Sequence, residues 1–109
     1  MQQSRSVSSG AYANLLIAKK THGTLLSLFG YNSGAAQFVQ IHESAANTLP
    51  DGTAVPLHTF KVAATDNFSC IIPVTGMPCS VGIMIANSST AQTLTIGAAD
   101  CWFTCTVAA

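Results

Sequence analysis

Charged residues are scarce in this sequence. Its 109 residues include only four lysines and arginines and four aspartates and glutamates, or 7% charged residues, whereas ordinary soluble domains carry about 25%. So few charges leave too little ionic surface to coat a free monomer. We therefore expect other polypeptides to cover part of the surface.

Positive charge is too sparse for nucleic-acid binding. The permanent cations are Arg5, Lys19, Lys20 and Lys61, and the formal net charge is zero. Affinity for DNA or RNA depends on neutralising phosphates with lysine and arginine. We expect no nucleic-acid partner.

Long apolar runs are also missing. Stretches such as residues 81–86 are far shorter than the roughly 20 residues of a membrane-spanning helix. The first ten residues lack the apolar segment of a secretory signal. These features predict no membrane partner and a protein made in the cytoplasm.

What is present is a series of short β-rich runs. A chain of this length forms one domain and can build a core without disulfides. Candidate strands cover residues 14–18, 23–31, 37–43, 57–63, 68–74, 81–86, 92–96 and 101–107. About eight strands separated by turn residues, without a helical period, predict an all-β fold, either a small barrel or, as we favour, a single two-sheet antiparallel sandwich.

The two ends of the chain differ in composition. Residues 1–12 are rich in serine and glutamine and have little to bury, which predicts a flexible N-terminal arm. Residues 13–109 hold the apolar runs and are expected to form the sandwich domain.

Several large apolar side chains fall outside the predicted core. In the run 23–31, alternation places Leu25, Phe29 and Tyr31 on one side and Leu26 and Leu28 on the other. Loops, edges and the arm of the same chain are one possible cover; copies of the chain or a larger assembly are the other. We favour assembly because charge is so scarce. The expected contact residues are Val7, Tyr12, Phe29, Tyr31, Phe38, Met84 and Trp102.

The reactive side chains lack a catalytic arrangement. If Cys101 and Cys105 share a strand, they lie about 13 Å apart, too far for one disulfide or one metal ion; Cys70 with Cys79 is the remaining pair to examine. The histidines His22, His42 and His58 are expected to make surface or inter-subunit hydrogen bonds. No spacing of nucleophile, base and acid typical of an active site occurs. The sequence therefore predicts no enzyme, no cofactor and no metal site.

A set of core and turn motifs resembles a known group of proteins. They are Gly23-Thr24-Leu25-Leu26, Gly30-Tyr31-Asn32, Phe38-Val39-Gln40-Ile41-His42-Glu43, Asn67-Phe68-Ser69, Thr75-Gly76-Met77-Pro78, Gly82-Ile83-Met84-Ile85-Ala86 and Thr93-Leu94-Thr95-Ile96-Gly97. In this order they resemble the small β-sandwich capsid cement, or decoration, proteins of tailed bacteriophages. The resemblance covers about residues 15–107 and includes no catalytic motif. The cysteines of the last predicted strand depart from the usual pattern, so thiol cross-linking is considered.

The resemblance implies a jelly-roll-like sandwich with a structural role. Such a protein oligomerises on the outer capsid surface of the virion, here expected as a trimer, and bridges subunits of the major capsid protein. It has no small-molecule substrate. Two alternatives stay open: a neck, tail or fibre accessory protein that binds the host, and a carbohydrate-binding module in which Tyr31 or Trp102 stacks on a sugar.

Overall fold

The protein is an all-β sandwich. Its structure, a computed structural model, describes residues 4–44 and 54–108. Within those ranges no residue is helical. The strands are β1 (Ser4–Ser8), β2 (Leu15–Lys19), β3 (Gly23–Asn32), β4 (Gln37–His42), β5 (His58–Val62), β6 (Asp66–Cys70), β7 (Met77–Cys79), β8 (Ile83–Ser88) and β9 (Cys101–Ala108).

Two antiparallel sheets face each other. Sheet A has the order β1-β9-β3-β6, and β7 also pairs with β3; sheet B has the order β2-β8-β4-β5. β6 pairs with the stretch of β3 from Leu28 to Asn32, and β7 with the stretch from Gly23 to Leu25. These two strands therefore occupy one position in the sheet, interrupted by residues 71–76.

The topology is that of a jelly roll. Counting β6 and β7 as one position, each sheet has four, and the chain passes to the opposite sheet at every step except from β4 to β5. Eight strand positions wound in this way form the double Greek key of jelly-roll folds. The predicted fold class is confirmed.

The core lies between the sheets and comes from alternate residues of the strands. On β9, Cys101, Phe103, Cys105 and Val107 all point inward and are at most 2% exposed. The Phe103 ring packs against Phe68, with 6.1 Å between ring centroids. The other buried members of the cluster are Ala18, Leu25, Leu28, Val39, Ile41, Val62, Cys79, Ile83 and Ile85.

The leucines of β3 do not point to the sides predicted from regular alternation, because the strand contains a β-bulge. Leu25 pairs with Val107 and Ser27 with Thr106, so Leu26 is the extra residue. One inserted residue reverses the alternation beyond it. Leu25 and Leu28 are therefore both buried, although a regular strand would have separated them.

Two other sequence predictions differ from the structure. The sequence places residues 4–8 in an arm outside the sandwich, but in the structure they form β1. This strand pairs antiparallel with β9, with Ser4 opposite Ala108 and Ser8 opposite Thr104. Backbone pairing, which needs no apolar side chains, adds this serine-rich segment to the sheet. Residues 1–3 of that predicted arm lie outside the described residues. Residues 92–96 form a loop with an isolated bridge between Ser88 and Ile96, not a strand.

Candidate interaction surface

The described residues on the outer face of sheet A all have uncharged side chains. Because the odd-numbered residues of β9 point into the core, Trp102, Thr104 and Thr106 point outward. Trp102 lies opposite Tyr31 and Thr104 opposite Phe29 on β3. We call this surface the aromatic face; its outward residues are Ser4, Ser6, Ser8, Ser27, Phe29, Tyr31, Asn67, Ser69, Trp102, Thr104 and Thr106.

Aromatic rings cluster at one end of the aromatic face. Tyr12, which follows β1, packs edge-on against Trp102 with 6.1 Å between ring centroids and 87° between ring planes. Phe29 is 49% exposed, Tyr12 51% and Trp102 38%. Rings of this size, half covered and without a charged neighbour on the face, are typical of the centre of a protein interface.

Gly30 permits this arrangement. It lies between Phe29 and Tyr31, and its position faces inward, opposite Phe68 and Phe103. A Cβ atom there would collide with the carbonyl oxygen of Trp102 and with the Phe68 ring. The glycine therefore lets β3 and β9 approach closely where they present their aromatic side chains.

Part of the outer face of sheet B, around Met84 on β8, is covered by the chain itself. Met84 on β8 is 1% exposed and packs with Ala86 and Leu94, which are 0% and 2% exposed. Leu94 belongs to the loop of residues 89–97, which lies over the sheet, and its N–H donates to the carbonyl of Ala54 at 2.8 Å. We call the segments 54–57 and 89–97 the cover.

A buried polar pair fastens the cover to sheet B. The Gln40 Nε2 group donates to the carbonyl oxygens of Thr90 at 2.9 Å and Thr93 at 3.0 Å, and lies 3.3 Å from that of Ala91. Its Oε1 atom is 2.8 Å from His42 Nε2. Because the amide nitrogen donates to the loop, Oε1 accepts, so His42 carries its proton on Nε2. Burial lowers the pKa of His42 and favours this neutral ring.

His42 therefore departs from its predicted surface position. It is 3% exposed, because the outward side of β4 lies beneath the cover. His22 and His58 are exposed, as expected.

A second polar network closes one end of the sandwich. Gln37 Nε2 donates to Asn32 Oδ1 and Asp100 Oδ1, both at 2.9 Å, and Gln37 Oε1 accepts from Asn87 Nδ2 at 2.8 Å. Asn32 Nδ2 in turn donates to the carbonyls of Ala35 and Ala63. These bonds connect the loop after β3, the loop after β5 and the segment that leads into β9. The network is therefore structural.

The cysteine thiols are positioned as core residues. All four are free, and Cys70 and Cys79 pair with β3 residues Leu28 and Gly23, about 16 Å apart along that strand. Burial first, and the nearby Asp100 second, raise the pKa of Cys101 to about 12, and burial raises that of Cys105 to about 11. Neither thiol of the last strand forms a reactive thiolate near neutral pH.

The structure brings together four of the seven predicted contact residues. Phe29, Tyr31 and Trp102 lie on the aromatic face, and Tyr12 packs against Trp102 at its end. Met84 was predicted to point to a partner, but the cover buries it.

The two remaining predicted contacts lie elsewhere. Val7 points inward and packs against the core, since it pairs with the inward-facing Cys105. Phe38 lies half-buried on β4 of sheet B. Neither belongs to the aromatic face.

Two parts of the surface escaped sequence reasoning. The serines of β1 extend the aromatic face, but Ser4–Ser8 contains one apolar residue, so its alternation gives almost no strand signal. Within the cover, the sequence predicts a strand at residues 92–96, because Leu94 and Ile96 alternate with threonines there. The run of hydroxyl residues before it was the available signal for a loop, since Ser88 Oγ and Thr90 Oγ1 both bond to the Thr93 carbonyl.

Comparison of the chain with protein-family models, curated proteins and solved structures gives no match. Across residues 4–44 and 54–108, no three His, Cys, Asp or Glu side chains are grouped to hold a metal ion. The same residues include no helix long and apolar enough to cross a membrane.

Proposed function

We propose that this protein is a non-enzymatic capsid cement, or decoration, protein of a tailed bacteriophage. It is made in the host cytoplasm, oligomerises on the outer surface of the capsid as a trimer, and bridges subunits of the major capsid protein. The sequence resemblance suggests this role. The uncovered aromatic face is the observation that carries it.

The chemistry of the aromatic face suits a protein partner. Phe29 and Trp102 supply apolar area that gains free energy when removed from water. The surrounding serines and threonines can hydrogen-bond to a partner without the cost of burying a charge. Such a surface favours a permanent contact, and a shell with many equivalent sites needs only modest affinity at each one.

Binding of this kind would stabilise a capsid by mass action. A protein that binds the assembled shell and not its free subunits shifts the equilibrium toward the shell by its binding free energy. No chemical step is needed, which agrees with the protonated thiols and the structural role of the buried polar groups.

The test is binding to purified heads that lack this protein. We expect the wild-type chain to sediment with the heads, and to form an oligomer by size-exclusion chromatography with light scattering. Thr104→Lys places a charge at the centre of the aromatic face and should weaken head binding at least about tenfold. Thr75→Lys, the same change in the exposed loop 71–76, is the matched control and should bind like wild type.

Three outcomes would contradict the proposal or part of it. A monomer that does not bind heads overturns the cement function. Equal binding by Thr104→Lys and wild type removes the aromatic face as the contact. Labelling of the neck, tail or fibres instead of the shell supports the accessory-protein alternative.

A carbohydrate-binding function is the second candidate. Tyr31 and Trp102 are partly exposed neighbours, and the amide of Asn67 lies opposite Tyr31 on β6. Exposed rings beside amide and hydroxyl groups can stack on a sugar and bond its hydroxyls. Binding on a glycan array that is lost in Trp102→Ser would favour this function, and a silent array would exclude it.

A further inference from the structure

A groove opens between the two sheets along one side of the sandwich, away from the aromatic cluster. It has a volume of about 550 Å³ and lies between the edge strands β1 and β2. Its lining includes Arg5 of β1, Ala18 and Lys19 of β2, Lys20 and Val107. We call it the edge groove. Its volume is that of an ordinary ligand site.

Positive charge is concentrated in the edge groove. Of the four lysines and arginines in the whole chain, Arg5, Lys19 and Lys20 all line it, and none of the carboxylate side chains within residues 4–44 and 54–108 does. In a protein with zero net charge, this distribution creates a local positive potential that attracts anions.

The described acidic residues are engaged elsewhere. Glu43 accepts hydrogen bonds from the backbone N–H and the hydroxyl of Ser80. Asp100 belongs to the network with Gln37, and Asp66 bonds to the backbone N–H of Asn67 in its own strand. None of these three described carboxylates lines the groove or neutralises its cations there.

The fold itself directs these cations to the groove. Arg5 is in phase with Val7, which packs inward, so its side chain leaves β1 on the side facing the gap between the sheets. The stem of Lys19 lies over Gly23, where a Cβ would collide with it. The buried Ala18 and Val107 supply an apolar floor.

The walls of the groove offer unpaired backbone. Among the described residues, β1 pairs only with β9 and β2 only with β8, so within that part of the chain each has one free edge. β2 has an irregular register at Ala18, whereas the register of β1 is continuous from Ser4 to Ser8. A regular free edge is where an extended peptide can add as a further strand.

We propose that the edge groove binds an extended acidic segment of a partner protein. The segment pairs with the free edge of β1, and its carboxylates contact Arg5, Lys19 and Lys20. A nucleic acid fits less well, because no aromatic side chain lines the groove to stack on bases. This binding site is separate from the aromatic face and does not depend on the proposed capsid function.

The test uses fluorescence polarisation with a labelled six-residue peptide that alternates glutamate and valine. We expect the full-length protein to bind it, and to bind the glutamine-valine counterpart at least about tenfold more weakly. Raising the salt from about 50 mM to about 300 mM should weaken binding of the acidic peptide. Amide NMR shifts should concentrate in β1.

Charge variants identify the site. Lys20→Gln and Arg5→Gln should each weaken binding of the acidic peptide several-fold, and together at least about tenfold. Both side chains are exposed, so these variants should fold. Lys61→Gln is the matched control because Lys61, the fourth cation, is exposed on β5 outside the groove.

The contrary outcomes are distinct. Equal affinity for the acidic and glutamine peptides overturns the proposal. A loss of affinity in Lys61→Gln as large as that in Arg5→Gln or Lys20→Gln also overturns it. Tighter binding of a single-stranded oligonucleotide that depends on Arg5 and Lys20 assigns the groove to phosphates instead. Competition by inorganic phosphate alone at similar concentration shows a simple anion site and also overturns it. None of these results bears on head binding through the aromatic face.

Discussion

The outer faces of the two sheets both carry large apolar side chains, but these side chains differ in their exposure to solvent. On sheet B, Met84 and Ala86 lie beneath the cover and are no more than 1% exposed. On sheet A, Phe29 and Trp102 remain 49% and 38% exposed. Within the described residues, two loop segments thus bury the apolar side chains of sheet B, whereas on sheet A only Tyr12 packs over Trp102.

This difference separates apolar side chains that are buried within the fold from apolar side chains that stay about half exposed. Covering Met84 removes apolar area from water within the monomer and contributes directly to its stability. The rings of the aromatic face obtain only part of that gain in the monomer, so a partner can supply the rest. Substitutions on the two faces should therefore affect different measurements.

The largest expected effect is on the covered face. Leu94→Ala should lower the free energy of unfolding by about 3 kcal/mol, because it leaves a cavity between the cover and Met84. Urea denaturation measures this change. Val74→Ala, a truncation at a fully exposed side chain, is the control and should leave stability unchanged. A loss near zero in Leu94→Ala would show that the cover does not stabilise sheet B.

The polar attachment of the cover should matter nearly as much. Gln40→Leu removes the donor to the cover carbonyls and leaves the His42 N–H without its acceptor, which should cost about 2 kcal/mol. Gln92→Leu, at an exposed residue of the same loop, is the control. If both variants unfold at the same urea concentration, the hydrogen bonds of Gln40 do not hold the cover.

The aromatic face should show the opposite pattern. Phe29→Ser should reduce monomer stability by about 1 kcal/mol or less, since the ring is already half exposed. Its main effect should be on oligomer formation, measured by light scattering over a dilution series. A variant as unstable as Leu94→Ala that still assembles normally would reverse the roles assigned to the two faces.

The smallest expected effect is a pH dependence on the covered face. Because burial lowers the pKa of His42 below its ordinary 6.5, the unfolded chain takes up the proton first as the pH falls. The free energy of unfolding should therefore decrease as the pH falls below about 6.5 toward the folded-state pKa. Above about 6.5 the stabilising contribution of the neutral His42 is complete. His42→Gln should reduce this slope, whereas His58→Gln, at an exposed residue, should retain it; equal slopes in all three proteins would contradict the assignment.

The sequence predicted the framework well where alternation was regular. In β9, Cys101, Phe103, Cys105 and Val107 were assigned to the core and are buried. In β3 the prediction was wrong for Leu25, because a bulge is invisible in the pattern of apolar and polar residues. The residues of the candidate site were found in part: Phe29, Tyr31 and Trp102 were identified, but nothing in the sequence distinguished them from Met84.

The sequence alone determined the shortage of charge, through its composition. Local alternation and turn residues also determined the all-β class and the core positions of most strands. These properties depend on neighbours along the chain, which a single sequence displays. Only the tertiary structure decided that the 89–97 loop covers Met84, that β1 joins sheet A, and that Arg5 and Lys19 line the same groove. Each of these depends on contacts between residues far apart in the chain, and no local pattern specifies which outer face such a segment will cover.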